Sequence, residues 1–195
     1  MIGVILSGGQ SVRMGKDKGL LQYRQQTWVQ QAFNKLSSLQ IPVIVSVNTQ
    51  QLSSYQSIFP THLLVTDNPA LSIGGPLRGI LTIHLLYPDE DLFILACDMI
   101  NMQPDLLTYI FKEYQDNPTD ALVLIKDKHP EPLCSIYSAK ALSRIYTLFT
   151  NQELHKHSMK YALDQLKPSY LPVAEKWTGY FNNYNTLSDL KDIQL

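Results

Sequence analysis

The sequence predicts an α/β protein, a mostly parallel sheet with helices on both faces, on the strength of three observations. Short apolar runs recur along the chain, amphipathic stretches of helical spacing separate them, and polar residues able to handle charge close several of the runs. The runs are Ile2-Gly-Val-Ile-Leu6, Val43-Ile-Val-Ser-Val47, Leu63-Leu-Val65, Leu92-Phe-Ile-Leu-Ala96 and Ala121-Leu-Val-Leu-Ile125. Each is apolar without clean alternation, as expected of strands covered on both faces. After the first run, Trp28, Val29, Ala32, Phe33, Leu36 and Leu39 fall on one helical face. Residues 104–115 open with Pro104 and set Leu106, Leu107, Ile110 and Phe111 at helical spacing. Strands alternating with helices make parallel crossovers, and such sheets bind ligands at the carboxyl ends of strands, where their order reverses. The segment after Leu6 lies at such an end, as do Asn48, Asp67 and Asp98.

Bulk properties narrow the function classes. A length of 195 residues with 45% hydrophobic and 17% charged side chains suits one globular domain, 1–195, with a sizeable core. A net charge of −1 argues against broad electrostatic binding to nucleic acid or anionic membranes. No apolar stretch approaches the roughly 20 residues that span a bilayer. The first run has no basic segment before it, so it does not read as a signal peptide, and a cytoplasmic protein is expected. Cys97 and Cys134 are too few for a disulfide framework and read as packed thiols in a reducing compartment. Residues 155–168 are more polar and less periodic, a candidate lobe or flap over the site.

The most informative segment is Leu6-Ser-Gly-Gly-Gln-Ser-Val-Arg-Met-Gly-Lys-Asp-Lys18, which follows the first strand directly. Paired glycines let a backbone turn its N–H groups toward an anion. Arg13, Lys16 and Lys18 add charge where a polyphosphate would lie. The spacing is not that of a P-loop, because five residues separate Gly9 from Gly15 and Asp17 follows Lys16 where a hydroxyl should stand. The dinucleotide pattern Gly-x-Gly-x-x-Gly is absent too.

Asp98 closes the fourth run in Leu95-Ala-Cys-Asp-Met99. A carboxylate at a strand mouth serves either as a turn residue or, next to a phosphate loop, as a ligand of Mg²⁺, which favours one or two carboxylates plus phosphate oxygens. Asp67, in Val65-Thr-Asp-Asn-Pro69, has the makings of an Asx turn ahead of proline at the ligand-binding end of a strand, and Asn48 is a polar residue at another such end. Gly74-Gly-Pro-Leu-Arg-Gly-Ile80 predicts a loop that moulds to a base and begins a helix at Pro76, with Arg78 facing phosphate or solvent. Period-two spacing puts Asn183 and Asn185 on one face of a strand. The five histidines make no tight ligand set, and neither Ser7 nor Ser11 has a histidine base at motif spacing, which argues against a covalent nucleophile.

Leu-x-Gly-Gly-x-Ser-x-Arg-Met-Gly-x-Asp-Lys resembles the signature of the molybdenum cofactor guanylyltransferases, which make molybdopterin guanine dinucleotide. Cys97-Asp98-Met99, Gly75-Pro-Leu-x-Gly-Ile80, Pro132-Leu133 with Tyr137, and Phe181-x-Asn-x-Asn-Thr186 extend the resemblance from Leu6 to Asp189. Ile100 and Leu187 stand where that family has proline. The resemblance implies a Rossmann-like domain of the nucleotide-diphospho-sugar transferase type. It further implies Mg²⁺-dependent transfer of GMP from GTP to the terminal phosphate of molybdenum-molybdopterin, with pyrophosphate leaving. On this resemblance Arg13, Lys18 and Asp98 are catalytic, and Asp98 holds the metal. Leu6, Ser7, Gly8, Gly9, Lys18, Asn48, Asp67, Gly75 and Asp98 contact GTP, with the Leu6–Gly9 backbone on the base and ribose side. Asn183 and Asn185 meet the pterin, and transient contact with cofactor-biosynthesis proteins or molybdoenzymes is expected for delivery. Two alternatives stay open: a cytidylyltransferase of molybdopterin or another phosphorylated small molecule, and a nucleotide-binding accessory protein without turnover. Cytidylyl relatives often carry Ala-Gly and Asp-Gln-Pro where this chain has Gly8-Gly9 and Cys97-Asp98-Met99.

Overall fold

The computed structural model describes residues 1–8 and 17–181. Its centre is β1 (Ile2–Leu6), which pairs in parallel with β4 (Val43–Val47) on one side and β6 (Leu92–Ala96) on the other. β5 (Leu64–Thr66) extends the β4 side, also in parallel. Beyond β6 come β8 (His129–Tyr137), β7 (Ala121–Lys126) and β9 (Pro168–Pro172), so the strand order is β5-β4-β1-β6-β8-β7-β9. Only β8 runs against the rest, antiparallel to both β6 and β7, while β9 joins β7 in parallel. The expected strands at 2–6, 43–47, 92–96 and 121–125 are present, and the one expected at 63–65 lies one residue later.

The sheet is covered on both faces because its strands alternate their side chains. Ile5, Val43, Val45, Val47, Phe93 and Leu95 pack with α1 (Trp28–Ser37) and α4 (Pro104–Asp116). Val4, Leu6, Ile44, Leu92 and Ile94 pack with α3 (Pro76–Leu86), α5 (Ala139–Thr150) and α6 (Met159–Asp164). The helix after the first strand begins where a small hairpin, β2 (Gln22–Tyr23) and β3 (Gln26–Thr27), delivers Thr27 as a cap. Thr27 and Gln30 form a reciprocal capping box there. Leu39, expected on this helix, lies just past its end, where its N–H donates to Leu36 C=O at 3.2 Å.

One expectation changes. Residues 155–168 are not a flap over the site: Met159, Ala162, Leu163 and Leu166 are buried in the core layer of α3 and α5, and the segment leads into β9 at the far edge of the sheet. Its polar surface hides a short amphipathic helix capped by Ser158, whose hydroxyl accepts from Tyr161 N–H. Pro132, Leu133 and Tyr137 are architectural: they lie on β8, and the Tyr137 hydroxyl donates to Pro132 C=O at 2.9 Å.

The chain leaves β1 toward β4 and β5, then returns across it to β6. That reversal at the carboxyl end of β1 is the crevice where open α/β sheets take ligands.

Candidate active site

Three strand ends and one helix start frame a cleft of about 570 Å³ lined by residues that include Leu6, Gly8, Asn48, Asp67, Gly75 and Arg78. That volume suits a small-molecule site. Its helical wall exists because Gly75 adopts φ +69°, a left-handed conformation open to glycine, and hands over to Pro76 in the first turn of α3. One turn later Gly79 meets the sheet closely. A Cβ there would sit 2.5 Å from Ser46 Oγ and 3.5 Å from Asp67 Oδ1.

Asp67 follows β5, with its N–H bonded to Val47 C=O at 3.0 Å. The Asx turn before Pro69 belongs instead to Asn68, whose Oδ1 accepts from Ala70 N–H at 2.9 Å, leaving the Asp67 carboxylate to line the cleft. Burial raises the Asp67 carboxyl above the usual range, and the Arg78 cation opposes that rise. Arg78 is itself held by an Nε–H bond to Ile73 C=O at 2.6 Å. Asn48 serves two purposes: it lines the cleft, and its Oδ1 accepts from Gln51 N–H at 3.0 Å.

A second cluster gathers at the ends of β1 and β6. Lys18 Nζ donates to Asp98 Oδ2 at 3.4 Å, across a separation of 80 residues. Both side chains are partly exposed, Asp98 at 40% and Lys18 at 25%, which leaves them reachable by a ligand. Asp98 stands two residues past Ala96, the partner of Leu6 in the ladder, and Cys97 N–H donates to Leu6 C=O at 3.1 Å. Cys97 is buried, and burial with the neighbouring Asp98 charge pushes its thiol up to about 12, so it is inert packing.

Beneath this pair lies Asp17, whose carboxylate accepts from Gly19 N–H at 2.9 Å, Gln51 Nε2 at 2.7 Å and Tyr55 O–H at 3.1 Å. Burial raises the Tyr55 phenol well above its ordinary range, keeping it a donor. Gln51 is the N-cap of α2 (Leu52–Gln56), and Tyr55 lies within that helix, wholly buried.

The expected GTP contacts Leu6, Gly8, Asn48, Asp67 and Gly75 therefore share one cleft, and Lys18 meets Asp98 beside it. Ser7 is buried, its N–H bonded to Ser46 C=O at 3.0 Å and its C=O accepting from Gln51 Nε2 at 3.0 Å. With the Leu6 carbonyl engaged as well, Leu6 reaches the cleft through its side chain, and Gly8 is the exposed backbone. Gly9, Arg13, Asn183 and Asn185 lie outside the described residues. Asp17, Gln51 and Tyr55 carry no motif signal beyond an aspartate preceding Lys18.

No group of three or more His, Cys, Asp or Glu residues forms a ligand cluster among the described residues. One partly exposed carboxylate beside a cation, just past the end of a strand, fits Mg²⁺, which keeps waters and relies on substrate phosphates. No helix among the described residues is long and apolar enough to cross a membrane.

Residues 3–167 match the family described as "MobA-like NTP transferase domain". The chain belongs to that family. Among relatives of the MobA-like transferases, a protein named probable molybdenum cofactor guanylyltransferase from Bacillus cereus (strain G9842) is 27% identical over 195 residues, 98% of this chain and 94% of the relative. The fold matches the molybdopterin-guanine dinucleotide biosynthesis protein A of Archaeoglobus fulgidus with a TM-score of 0.79 at 23% identity, over 98% and 96% of the two chains. A cytidylyltransferase from Leptospira borgpetersenii shares the fold at a TM-score of 0.70 and 13% identity, over 98% of this chain and 84% of the other. In this MobA-like chain, the matched span holds both clusters of the site.

Proposed function

We propose that this nucleotidyltransferase moves GMP from GTP to the terminal phosphate of molybdenum-molybdopterin. The observation that carries the proposal is the Lys18–Asp98 pair, 3.4 Å apart, with Asp98 just past β6, whose neighbour β1 ends in the cleft-lining Leu6. The guanylyl choice draws support from the named relatives.

An oxygen of the acceptor phosphate attacks the α-phosphorus of GTP; that bond forms as the bond to the bridging oxygen breaks, and pyrophosphate leaves. The acceptor supplies its own anionic nucleophile, so the protein's tasks are positioning and charge neutralisation. Lys18 directs its ammonium at the developing charge on the bridging and leaving oxygens. Arg13 takes the same role by resemblance. Asp98 would hold Mg²⁺, which when bound supplies further positive charge to phosphate oxygens. Asn48, Asp67, Gly8 and Gly75 hold the base and ribose, with the Asp67 carboxylate accepting from N–H or O–H groups. Asn183 and Asn185 are assigned to the pterin. Cys97 and Cys134, both free thiols, suit a reducing cytoplasm.

Pyrophosphate release tests the proposal, measured with GTP, CTP, ATP and UTP, each with and without molybdopterin. Release with GTP and the acceptor is expected. Release with CTP alone among them would assign the cytidylyl reaction, and release with none would leave a binding protein.

A further inference from the structure

Neither the cleft nor the Lys18–Asp98 pair includes Gln51, yet its side chain joins the two ends of the segment that bears the cations. We propose that Gln51 is a positioning residue that, through Asp17, holds Lys18 in register with Asp98. The proposal rests on the nucleotidyl-transfer reading for its kinetic consequence and on geometry alone for its structural one.

Every polar group of the Gln51 side chain is used. Its Nε2 donates to Ser7 C=O at 3.0 Å, just after β1, and to Asp17 Oδ2 at 2.7 Å, just before Lys18. Its Oε1 accepts from Asn48 N–H at 2.9 Å, so the amide cannot rotate without losing a partner at each end. The other Asp17 oxygen is fixed by Tyr55 O–H at 3.1 Å and Gly19 N–H at 2.9 Å. Asp17 thereby caps the short 3-10 turn Lys18–Leu20, and the Lys18 backbone is clamped from both flanks. A lysine ammonium on a four-carbon stem loses much rotamer freedom when held at one point. Fixing its backbone removes most of the positional scatter before substrate arrives.

Gly19 is a second sign that this clamp is built closely. A Cβ at that position would collide with the Tyr55 hydroxyl that holds Asp17. Gly19→Ala therefore disturbs Asp17 from the side opposite Gln51, providing an independent variant should Gln51→Ala fold poorly.

Two measurements decide the matter. The first is amine acylation followed by mass spectrometry, comparing Lys18 with the exposed Lys112. Gln51→Ala and Gly19→Ala are each expected to speed labelling of Lys18 several-fold without changing Lys112; unchanged Lys18 labelling in both overturns the proposal. The second is steady-state kinetics with GTP. Gln51→Ala is expected to lower kcat ten- to a hundredfold with KM within about twofold, and to cost nothing further in a Lys18→Ala background. A cost in that background equal to its cost in the otherwise native chain also overturns the proposal. If the native chain releases pyrophosphate with no nucleotide, the transfer reading fails, and the labelling alone decides the role of Gln51.

Discussion

The wall carrying Lys18 and Asp98 and the wall carrying Gly75 to Gly79 end the same sheet but are made differently. On the first, side chains bind side chains: Gln51 and Tyr55 converge on Asp17, joined there by the Gly19 backbone N–H, and Lys18 reaches Asp98. The second is made of backbone shape, a glycine at φ +69° and a glycine pressed against Ser46, with Arg78 tied down by a carbonyl. Charge must sit within an ångström or so of where it develops in the transition state, which rewards a wall of mutually bonded side chains. A base edge can be met by contour and a few polar groups, which rewards clearance.

The largest effect expected is on the charged wall. Asp98→Ala is predicted to remove measurable turnover while leaving the thermal midpoint within a few degrees, since the side chain is partly exposed. Guanine dinucleotide formed at the native rate would break the assignment. Lys18→Ala follows, with a loss of about 2–4 kcal/mol of transition-state stabilisation, roughly 30- to 900-fold in kcat/KM.

The contoured wall should respond in KM and stability instead. Gly79→Val is predicted to cost about 1–3 kcal/mol of stability by overpacking and to weaken GTP binding, read by urea denaturation and calorimetry. Were kcat to collapse with KM unchanged, the two walls would not differ as described. A smaller change is expected from Arg78→Met. The Arg78 cation opposes the burial-driven rise of Asp67, so removing it raises the Asp67 carboxyl further. GTP affinity should then fail at a higher pH than in the native chain as acid is added, in a calorimetric titration across pH.

The smallest effect concerns Lys35 of α1, which donates to Ile100 C=O two residues past Asp98. Burial lowers its ammonium from 10.5 to about 8. Below pH 8 both folded and unfolded chains are protonated and the penalty is fully present. Between about pH 8 and 10.5 the folded chain alone has released its proton, so the unfolded state binds more protons and stability rises with pH. The difference in urea midpoint between the native chain and Lys35→Met should grow in the native chain's favour across that window. A flat difference would sink this account.

Much of this was legible in the residues. The runs at Ile2, Val43, Leu92 and Ala121 form strands because their apolar character leaves no solvent face, and Pro104 and Pro76 begin helices as their fixed φ favours. Asn48, Asp67 and Asp98 stand at strand ends because polar residues close the runs. By contrast, β8 and β9 carry Pro130, Pro132, Pro168 and Pro172, which weaken any strand signal. They are held by pairing to β6 and β7, not by their own propensity.

Sequence alone determined the layered α/β plan, the glycine-rich, cation-bearing segment after β1 and the carboxylate after β6, because each is written in residues near one another. Tertiary structure alone decided that Asn68, and not Asp67, makes the turn before Pro69, and that Gln51, 34 residues from Asp17, clamps the segment bearing Lys18. Periodicity and motif spacing report what neighbours along the chain will do. A hydrogen bond between distant residues exists only once the strand order β4-β1-β6 has brought their carriers together.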